Sequence, residues 1–430
     1  MFIKRIYLIF LFLPVALFGQ QVTLQQCYQD GYYHHPSYDN MRVLLRIGEL
    51  EEANSGVDNL PQATLKANVS WQSDVTSVNI NLPGFTMPKL AQDWYKLYID
   101  VTQTIYDGGL AKSKKAVANA KTEADVQQQE VNLYAVKGNV NLAYFSALNL
   151  QNQKKILDLK MQVLHDQSKV VESAVNNGAV NSNELNNLKA EMVMLNQQII
   201  ELESLHKASL DNLSLITGKS FNENTVLVLP ADPLYDSASV PVNRPELNLI
   251  EAQKEQLDNQ SDLLQNTRKP RIYGYGQAGY GRPGLNMFND NFDDWYIIGV
   301  GLQWKIYDWK ETSRKKEQIE LQKEMADNQK ESFLYQLDLL TRSKWNEIEK
   351  LNRIIATDEE LVSLRKDVAD NSASQLKNGV IKSADYIRDL NNYVVAKLTN
   401  ENHQIALLKA KYEYITLTGT EKDNNKSDEK

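Results

Sequence analysis

The chain has 430 residues, of which 24% are charged, and a formal net charge of −8 at pH 7. With a pI near 5.4, this acidic balance argues against nucleic acid as a partner, because phosphate binding requires a clustered basic face. Apart from the adjacent pair His34 and His35, the five histidines show no metal-ligand spacing, and Cys27 is the only cysteine. We therefore expect neither a metal nor another cofactor.

Residues 1–20 have the pattern of a secretory signal peptide. Lys4 and Arg5 precede an apolar run at 6–17, which ends in a short segment around Gly19. The run is too short to span a bilayer as a helix, which favours a cleaved signal over a retained anchor. The mean hydropathy is −0.48 and no later stretch is long and apolar, so we expect any further entry into a membrane to be as strands.

The remainder of the chain consists of two similar copies. Eight residues recur 201 positions later, since Trp94, Ile105, Tyr106, Asp107, Asn177, Gly178, Ser182 and Gly218 match Trp295, Ile306, Tyr307, Asp308, Asn378, Gly379, Ser383 and Gly419. A period near two hundred residues is too long for a solenoid and predicts two similar half-structures.

This repeat divides the chain into a first structural repeat (21–218), a connector (219–244) and a second structural repeat (245–419). The connector is rich in turn signals and contains a predicted short strand at Val226–Leu229. It is expected to form the equatorial region beside the helices. The polar tail at 420–430 is expected to be disordered.

Each copy contains a predicted strand pair, at about 61–107 and about 270–308. Apolar and polar residues alternate along most of these segments, as in the apolar series Tyr95, Leu97, Ile99, Val101 and Ile105 and the series Tyr296, Ile298, Val300, Leu302, Trp304 and Ile306. The segment 271–281 is too rich in glycine and tyrosine for its two faces to be distinguished. Strands of about ten residues with one apolar face fit an outer-membrane barrel, and the export signal favours this over a half-buried soluble sheet.

Four strands are too few to close a barrel. An open edge in hydrocarbon leaves unpaired backbone groups that each cost several kcal/mol, so the chain must assemble. Two copies would give eight strands, whose interior is filled by side chains, whereas three would give twelve and leave a passage. A cyclic homotrimer is therefore expected.

Long helices follow each strand pair. Residues 107–177 contain no proline and are rich in helix-forming residues, and apolar residues recur every seven positions, which is typical of coiled-coil contacts. A soluble coiled-coil rod would show the same pattern. Shorter helices at about 178–218 and 245–270 have a summed length close to that of one long helix, which predicts four helical columns per chain.

The two long helices end in similar turns. In each turn a glycine, Gly178 or Gly379, is expected to terminate the long helix, and an Asn or Ser to cap the next one. The acidic residues Glu184 and Asp385 then fall in the first turn of the following helices. Val180 and Ile381 are expected to be exposed apolar residues at these tips.

The order of these features resembles the TolC-like outer membrane efflux protein family, also called outer membrane factors. The resemblance covers nearly the whole mature chain and includes the local matches LQQC at 24–27, HP at 35–36, SLITG at 214–218, RPEL at 244–247 and TLTG at 416–419.

The resemblance implies an α+β membrane protein with four transmembrane β-strands and long periplasmic coiled-coil helices per chain. Three chains would form a 12-strand barrel in the outer membrane of a Gram-negative bacterium and a 12-helix tunnel in the periplasm. It also implies passive export of solutes in a tripartite efflux or type I secretion system, with a periplasmic adaptor (membrane fusion protein) and an inner-membrane pump. The alternative is a non-conducting periplasmic coiled-coil scaffold. An enzyme is not expected, because no nucleophile, base and orienting group occur at sensible spacing.

The resemblance also assigns roles to residues at the tips. Gly178, Val180, Gly379 and Ile381 match positions where adaptor hairpins dock. Asp385 matches a position whose carboxylates form a periplasmic constriction around the threefold axis, and Glu184 is its counterpart in the first copy.

A ring of carboxylates attracts cations, although the helix dipole alone also favours an acid at Asp385. Arg388, one turn later, could neutralise the constriction by pairing with Asp385. Ile381 occupies the place of a basic residue that holds relatives closed, and Lys382 follows it.

Overall fold

A computed structural model describes residues 21–76, 90–233 and 242–420. The signal peptide at 1–20, part of the connector and the tail after Thr420 lie outside the described residues. The described residues form two compact units. We call residues 39–131 and 245–333 the sheet unit, and residues 21–38, 132–244 and 334–420 the helical unit.

Beyond a short strand and a helix at its start, the first copy contains the same succession of strands and helices as the second. In chain order the elements are β1 (Gln21–Val22), α1 (Leu24–His34), α2 (Pro36–Ser55), β2 (Gln62–Trp71), β3 (Asp93–Tyr106), α3 (Leu110–Asn176), α4 (Ser182–Thr217), β4 (Val226–Leu227), α5 (Pro245–Asn266), β5 (Arg271–Arg282), β6 (Asp293–Gln303), α6 (Glu311–Lys377) and α7 (Ser383–Thr418). None of the helices in the described ranges has an apolar window suited to crossing a bilayer.

The sheet unit contains an antiparallel sheet of four strands in the order β2-β3-β5-β6. Thr64 pairs with Asp100, Asp100 with Gln277, and Gln277 with Ile297. Because side chains alternate across a strand, this register assigns both faces of β5, which the sequence left undetermined. Arg271, Tyr273, Tyr275 and Gln277 lie on the polar face with Lys66 and Asp100, whereas Ile272, Ala278 and Tyr280 lie on the apolar face with Ile99 and Ile298.

The apolar face is open to its surroundings. Ile298 is 81% exposed, Val69 74% and Val300 72%. An apolar surface of this kind marks contact with a membrane or with another protein.

The strands of the two hairpins end differently. β3 reaches Tyr106, which pairs with Ile272 across a bulge. β6 ends at Gln303, although the alternation in the sequence continues to Ile306. The physical reason is that β5 begins at Arg271, the partner of Gln303, and Pro270 before it has no N–H to extend the ladder.

The turn from β3 into α3 depends on two glycines with left-handed backbone. Gly108 has φ 70° and Gly109 φ 87°. The Asp107 carboxylate accepts hydrogen bonds from Gly109 N–H at 2.8 Å and Ala111 N–H at 2.7 Å. Burial acts to raise the pKa of Asp107, but these hydrogen bonds outweigh it and hold the pKa below its usual value.

The second copy makes the same turn without glycine. Trp309 and Lys310 take up the left-handed backbone with φ 53° and 60°, a conformation that costs an L-residue roughly 1–2 kcal/mol. The Asp308 carboxylate again accepts a hydrogen bond from an α6 amide, Thr312 N–H, at 3.1 Å. Hydrogen bonds from Thr312 and the nearby Arg268 guanidinium lower the pKa of Asp308.

One core cluster of the helical unit lies around the N-terminal segment and the connector. Strand β1 pairs in parallel with β4, so that Val22 lies beside Leu227. Tyr144, fully buried in α3, places its hydroxyl 2.9 Å from Val22 O and 2.6 Å from Val228 O, so that its single O–H proton is shared between the two carbonyls. The predicted strand at Val226–Leu229 therefore forms over its first two residues and is fixed to α3 by this hydroxyl.

The turn before α6 generates a stability prediction. Replacing Lys310 by Gly should raise the free energy of unfolding by about 1 kcal/mol, because the strain is removed and only part of the gain is lost to greater freedom of the unfolded chain. The matched control is Gly109→Lys, which should lower the free energy of unfolding by a similar amount. An added Cβ at Gly109 would make only an ordinary contact of 3.7 Å with Asn266, so the change comes from the backbone conformation and not from a clash. Urea unfolding of both variants measures the difference, and shifts of the same sign would contradict the prediction.

Candidate functional site at the helix tips

Both long helices end in the same hydrogen-bonded turn. Gly178 and Gly379 have φ 72° and 70°. Gly178 N–H donates to Val175 O at 2.9 Å and Ala179 N–H donates to Ala174 O at 2.9 Å, and the second copy repeats both bonds. This is the Schellman motif, in which a left-handed residue ends the helix. A Cβ at either glycine would meet nothing within 4 Å, so backbone conformation alone requires glycine here.

The expectation that Val180 and Ile381 are exposed is wrong. Both are half-buried and pack against an apolar cluster formed by α3, α4, α6 and α7. Val380, one residue earlier in the second tip, is instead 71% exposed. The physical reason is that the turn returns the chain to the cluster, where each aliphatic side chain gains part of the roughly 1.5–3 kcal/mol that full burial contributes.

The two return helices are capped by different residues. Asn181 caps α4 as predicted, because its side-chain oxygen accepts from Asn183 N–H at 2.9 Å. The expected Ser cap of α7 is wrong, since Lys382 occupies the N-cap position and makes no capping bond through its side chain. Ser383 is fully buried and donates both its N–H, at 2.7 Å, and its hydroxyl to Oε2 of Glu184. A carboxylate of the first repeat therefore binds the first turn of α7 in the second.

Asp385 and Arg388 form the predicted pair. Arg388 Nη1 lies 3.1 Å from Asp385 Oδ1, and Nε lies 3.4 Å from Oδ1 of Asp389. The side chains of Arg388 and Asp385 are 64% and 44% exposed, and a pair this exposed contributes at most about 1 kcal/mol. Lys382, also exposed, lies at the start of the same helix. The constriction role of these residues stays a prediction.

The sequence did not reveal a buried polar network behind the tips. Lys160 Nζ on α3 lies 2.8 Å from Oε1 of Glu191 on α4, and Asn391 on α7 donates to the same oxygen at 3.1 Å. Lys160 is 8% and Glu191 9% exposed, so removing one charge would leave the other buried and unpaired. In the sequence, this network is indicated only by a Lys and a Glu that interrupt otherwise apolar helix faces.

Tyr386, in the first turn of α7 with Ser383, belongs to the apolar cluster of the tips. It is 2% exposed, and burial together with Asp370 raises its pKa to about 12. It is therefore a neutral phenol at physiological pH. Across the residues that the structure describes, no group of three His, Cys, Asp or Glu side chains is arranged to hold a metal ion.

The Glu184 contact generates a second prediction. Glu184→Ala should leave the buried Ser383 N–H without its acceptor, at a cost of about 1–3 kcal/mol, and speed hydrogen exchange in the first turn of α7 at least tenfold. Asp385→Ala is the matched control. It removes the carboxylate at the equivalent position of the second repeat, and that carboxylate pairs with the exposed Arg388. Equal exchange rates in the two variants would refute the role of Glu184.

The chain was compared with known proteins. No family model matches it, and no curated protein does. Solved structures do match. The outer membrane protein VceC of Vibrio cholerae is 15% identical with a TM-score of 0.65, and the match covers 92% of this chain and 96% of VceC. The CmeC outer membrane channel of Campylobacter jejuni is 15% identical with a TM-score of 0.64, covering 92% and 85%.

A third match is the MtrE outer membrane channel of Neisseria gonorrhoeae in its open state, which is 14% identical with a TM-score of 0.63, covering 92% of this chain and 88% of MtrE. Identities this low establish the fold and nothing finer. The likeness extends over almost the whole described chain and includes both repeats. The chain thus has the fold of the TolC-like outer membrane factors, the family that its sequence resembles.

Proposed function

We propose that the chain is one subunit of a homotrimeric export channel in the outer membrane of a Gram-negative bacterium. The channel conducts solutes passively outward from a periplasmic adaptor and an inner-membrane pump, as in tripartite efflux or type I secretion. The fold supports this role. The matched structures support it too, because they are named as outer membrane channels.

The observation that carries the proposal is the open sheet of the sheet unit. Among the described residues, the outer edges of β2 and β6 have no strand partner. In hydrocarbon each unpaired backbone group costs several kcal/mol. Three copies, joined edge to edge, would supply twelve strands and close the cylinder. The apolar face with Ile298 would then meet lipid, and the polar face with Lys66 and Asp100 would line the passage.

Exposed apolar side chains on the helices support the same assembly. Leu142 is 59%, Tyr335 67% and Leu364 58% exposed, on helices that bury other apolar residues such as Leu148 and Ile348. In a trimer these positions would contact helices of neighbouring subunits, as coiled-coil packing requires. Twelve helices from three chains would form the periplasmic tunnel.

The adaptor would dock at the tips. The left-handed Gly178 and Gly379 leave open space beside the backbone, into which an adaptor hairpin can fit. Val380 supplies the exposed apolar contact there, with Val180 and Ile381 beneath. At the inner mouth, Asp385 would form the constriction, weakened by Arg388 and by Lys382, whereas the Glu184 carboxylate is engaged by Ser383.

Reconstitution tests the channel directly. The full chain, purified in detergent and inserted into planar bilayers, should give discrete single-channel currents. A trimer that inserts and carries no current would refute passive conduction. Protein that is extracted without detergent would favour the periplasmic scaffold instead.

Two adjacent residues of β6 test the lipid-facing surface. Ile298→Lys places a charge on the apolar face and should cost about 2–4 kcal/mol if that face meets hydrocarbon, so that detergent-resistant trimers in isolated outer membranes decrease severalfold. Ile297→Lys, on the polar face, is the matched control and should leave trimer yield close to wild type. Equal yields would contradict the assignment of the two faces.

A further inference from the structure

Two tyrosines cover glycines on the polar face of the sheet. Tyr273 and Tyr275 of β5 face Gly301 and Gly299 of β6. A Cβ placed on Gly299 would lie 2.5 Å from Cζ of Tyr275, and one on Gly301 would lie 2.4 Å from Cζ of Tyr273. The rings therefore occupy the space of the missing side chains and rest on the glycine backbone. A larger residue at either glycine would force the ring to stand away from the sheet.

This arrangement leaves one aromatic face of each tyrosine pointing away from the sheet. Both residues are half-buried. Their ring centroids are 6.2 Å apart and their planes are inclined by 42°. The pair forms a shallow aromatic platform on a surface where a water-filled barrel usually carries polar side chains. Stacking on such rings requires a flat partner and no directional hydrogen bonds.

The charges beside the platform decide which flat partner fits. Arg271 lies two positions before Tyr273 on the same face of β5. Asp100, on the same face and paired with Gln277 in the neighbouring strand, accepts hydrogen bonds from Lys66 and, at 3.2 Å, from Gln277. Its negative charge is thus offset, and the guanidinium favours an anion, which it can bind in bidentate fashion.

We propose that Tyr273, Tyr275 and Arg271 form a binding site for planar aromatic carboxylates on the inner wall of the barrel. The inference rests on the proposed function, because it takes the polar face as the wall of the passage. The aromatic ring of the solute stacks on a tyrosine ring and its carboxylate binds Arg271. The site would retain such solutes briefly during export.

The probe is anthracene-9-carboxylate, and cyclohexanecarboxylate serves as the non-aromatic control of equal charge. In planar bilayers, millimolar anthracene-9-carboxylate should interrupt the single-channel current, and the control should not. Isothermal titration on the detergent-solubilised full chain should give the same preference. The titration requires no current, so it tests this site even if the protein fails to conduct, which would count against the proposed function alone.

Substitutions separate the platform from general effects on the barrel. Tyr275→Leu still covers Gly299 but removes the aromatic face, and should weaken binding about tenfold. Tyr275→Phe keeps the aromatic face and should bind like the wild type. Arg271→Gln should weaken binding of the carboxylate severalfold. Tyr280→Leu, on the lipid-facing side of the same strand, should leave affinity unchanged.

Each of the following results would overturn the inference. They are equal binding of the aromatic and aliphatic acids, unchanged affinity in Tyr275→Leu, and equal losses in Tyr275→Leu and Tyr280→Leu. A loss in Tyr275→Phe equal to that in Tyr275→Leu would also refute stacking, since it would assign binding to the hydroxyl.

Discussion

The hydrogen bonds that one chain cannot complete determine how this protein is built. A four-stranded sheet leaves two edges of unpaired N–H and C=O groups, and its apolar face is exposed along its whole length. Water satisfies those groups only outside a membrane. Closure by copies of the same chain would satisfy both edges at once and would separate the two faces into lipid and passage. The same closure would bring the exposed helix faces of neighbouring chains together.

The two repeats share a backbone conformation even where they do not share the residues that favour it. Both turns into the long helices have left-handed backbone, at Gly108 and Gly109 in one repeat and at Trp309 and Lys310 in the other. An aspartate is present in both and binds an amide of the helix that follows. The carboxylate therefore stabilises the turn even where glycine has been replaced, and local strain is tolerated because the strand and helix on either side fix the backbone.

Features that depend on neighbouring residues in sequence were predictable, and those that depend on distant ones were not. The alternation along β3 and the glycines at the tips are local, and the structure contains both. The faces of β5 could not be assigned, because glycine has no side chain to classify and the strand partners define the face. The burial of Ile381 and the contact between Glu184 and Ser383 depend on packing between helices that are far apart in the chain.

That contact makes the two repeats unequal where their sequences look equivalent. Glu184 and Asp385 occupy matching positions, yet Glu184 turns inward to the buried Ser383 and Asp385 lies at the surface beside Arg388. In a trimer, six carboxylates would thus divide into three that hold the tips together and three that face the mouth. Each of the latter has an arginine next to it, so electrostatic repulsion across the axis would be weak.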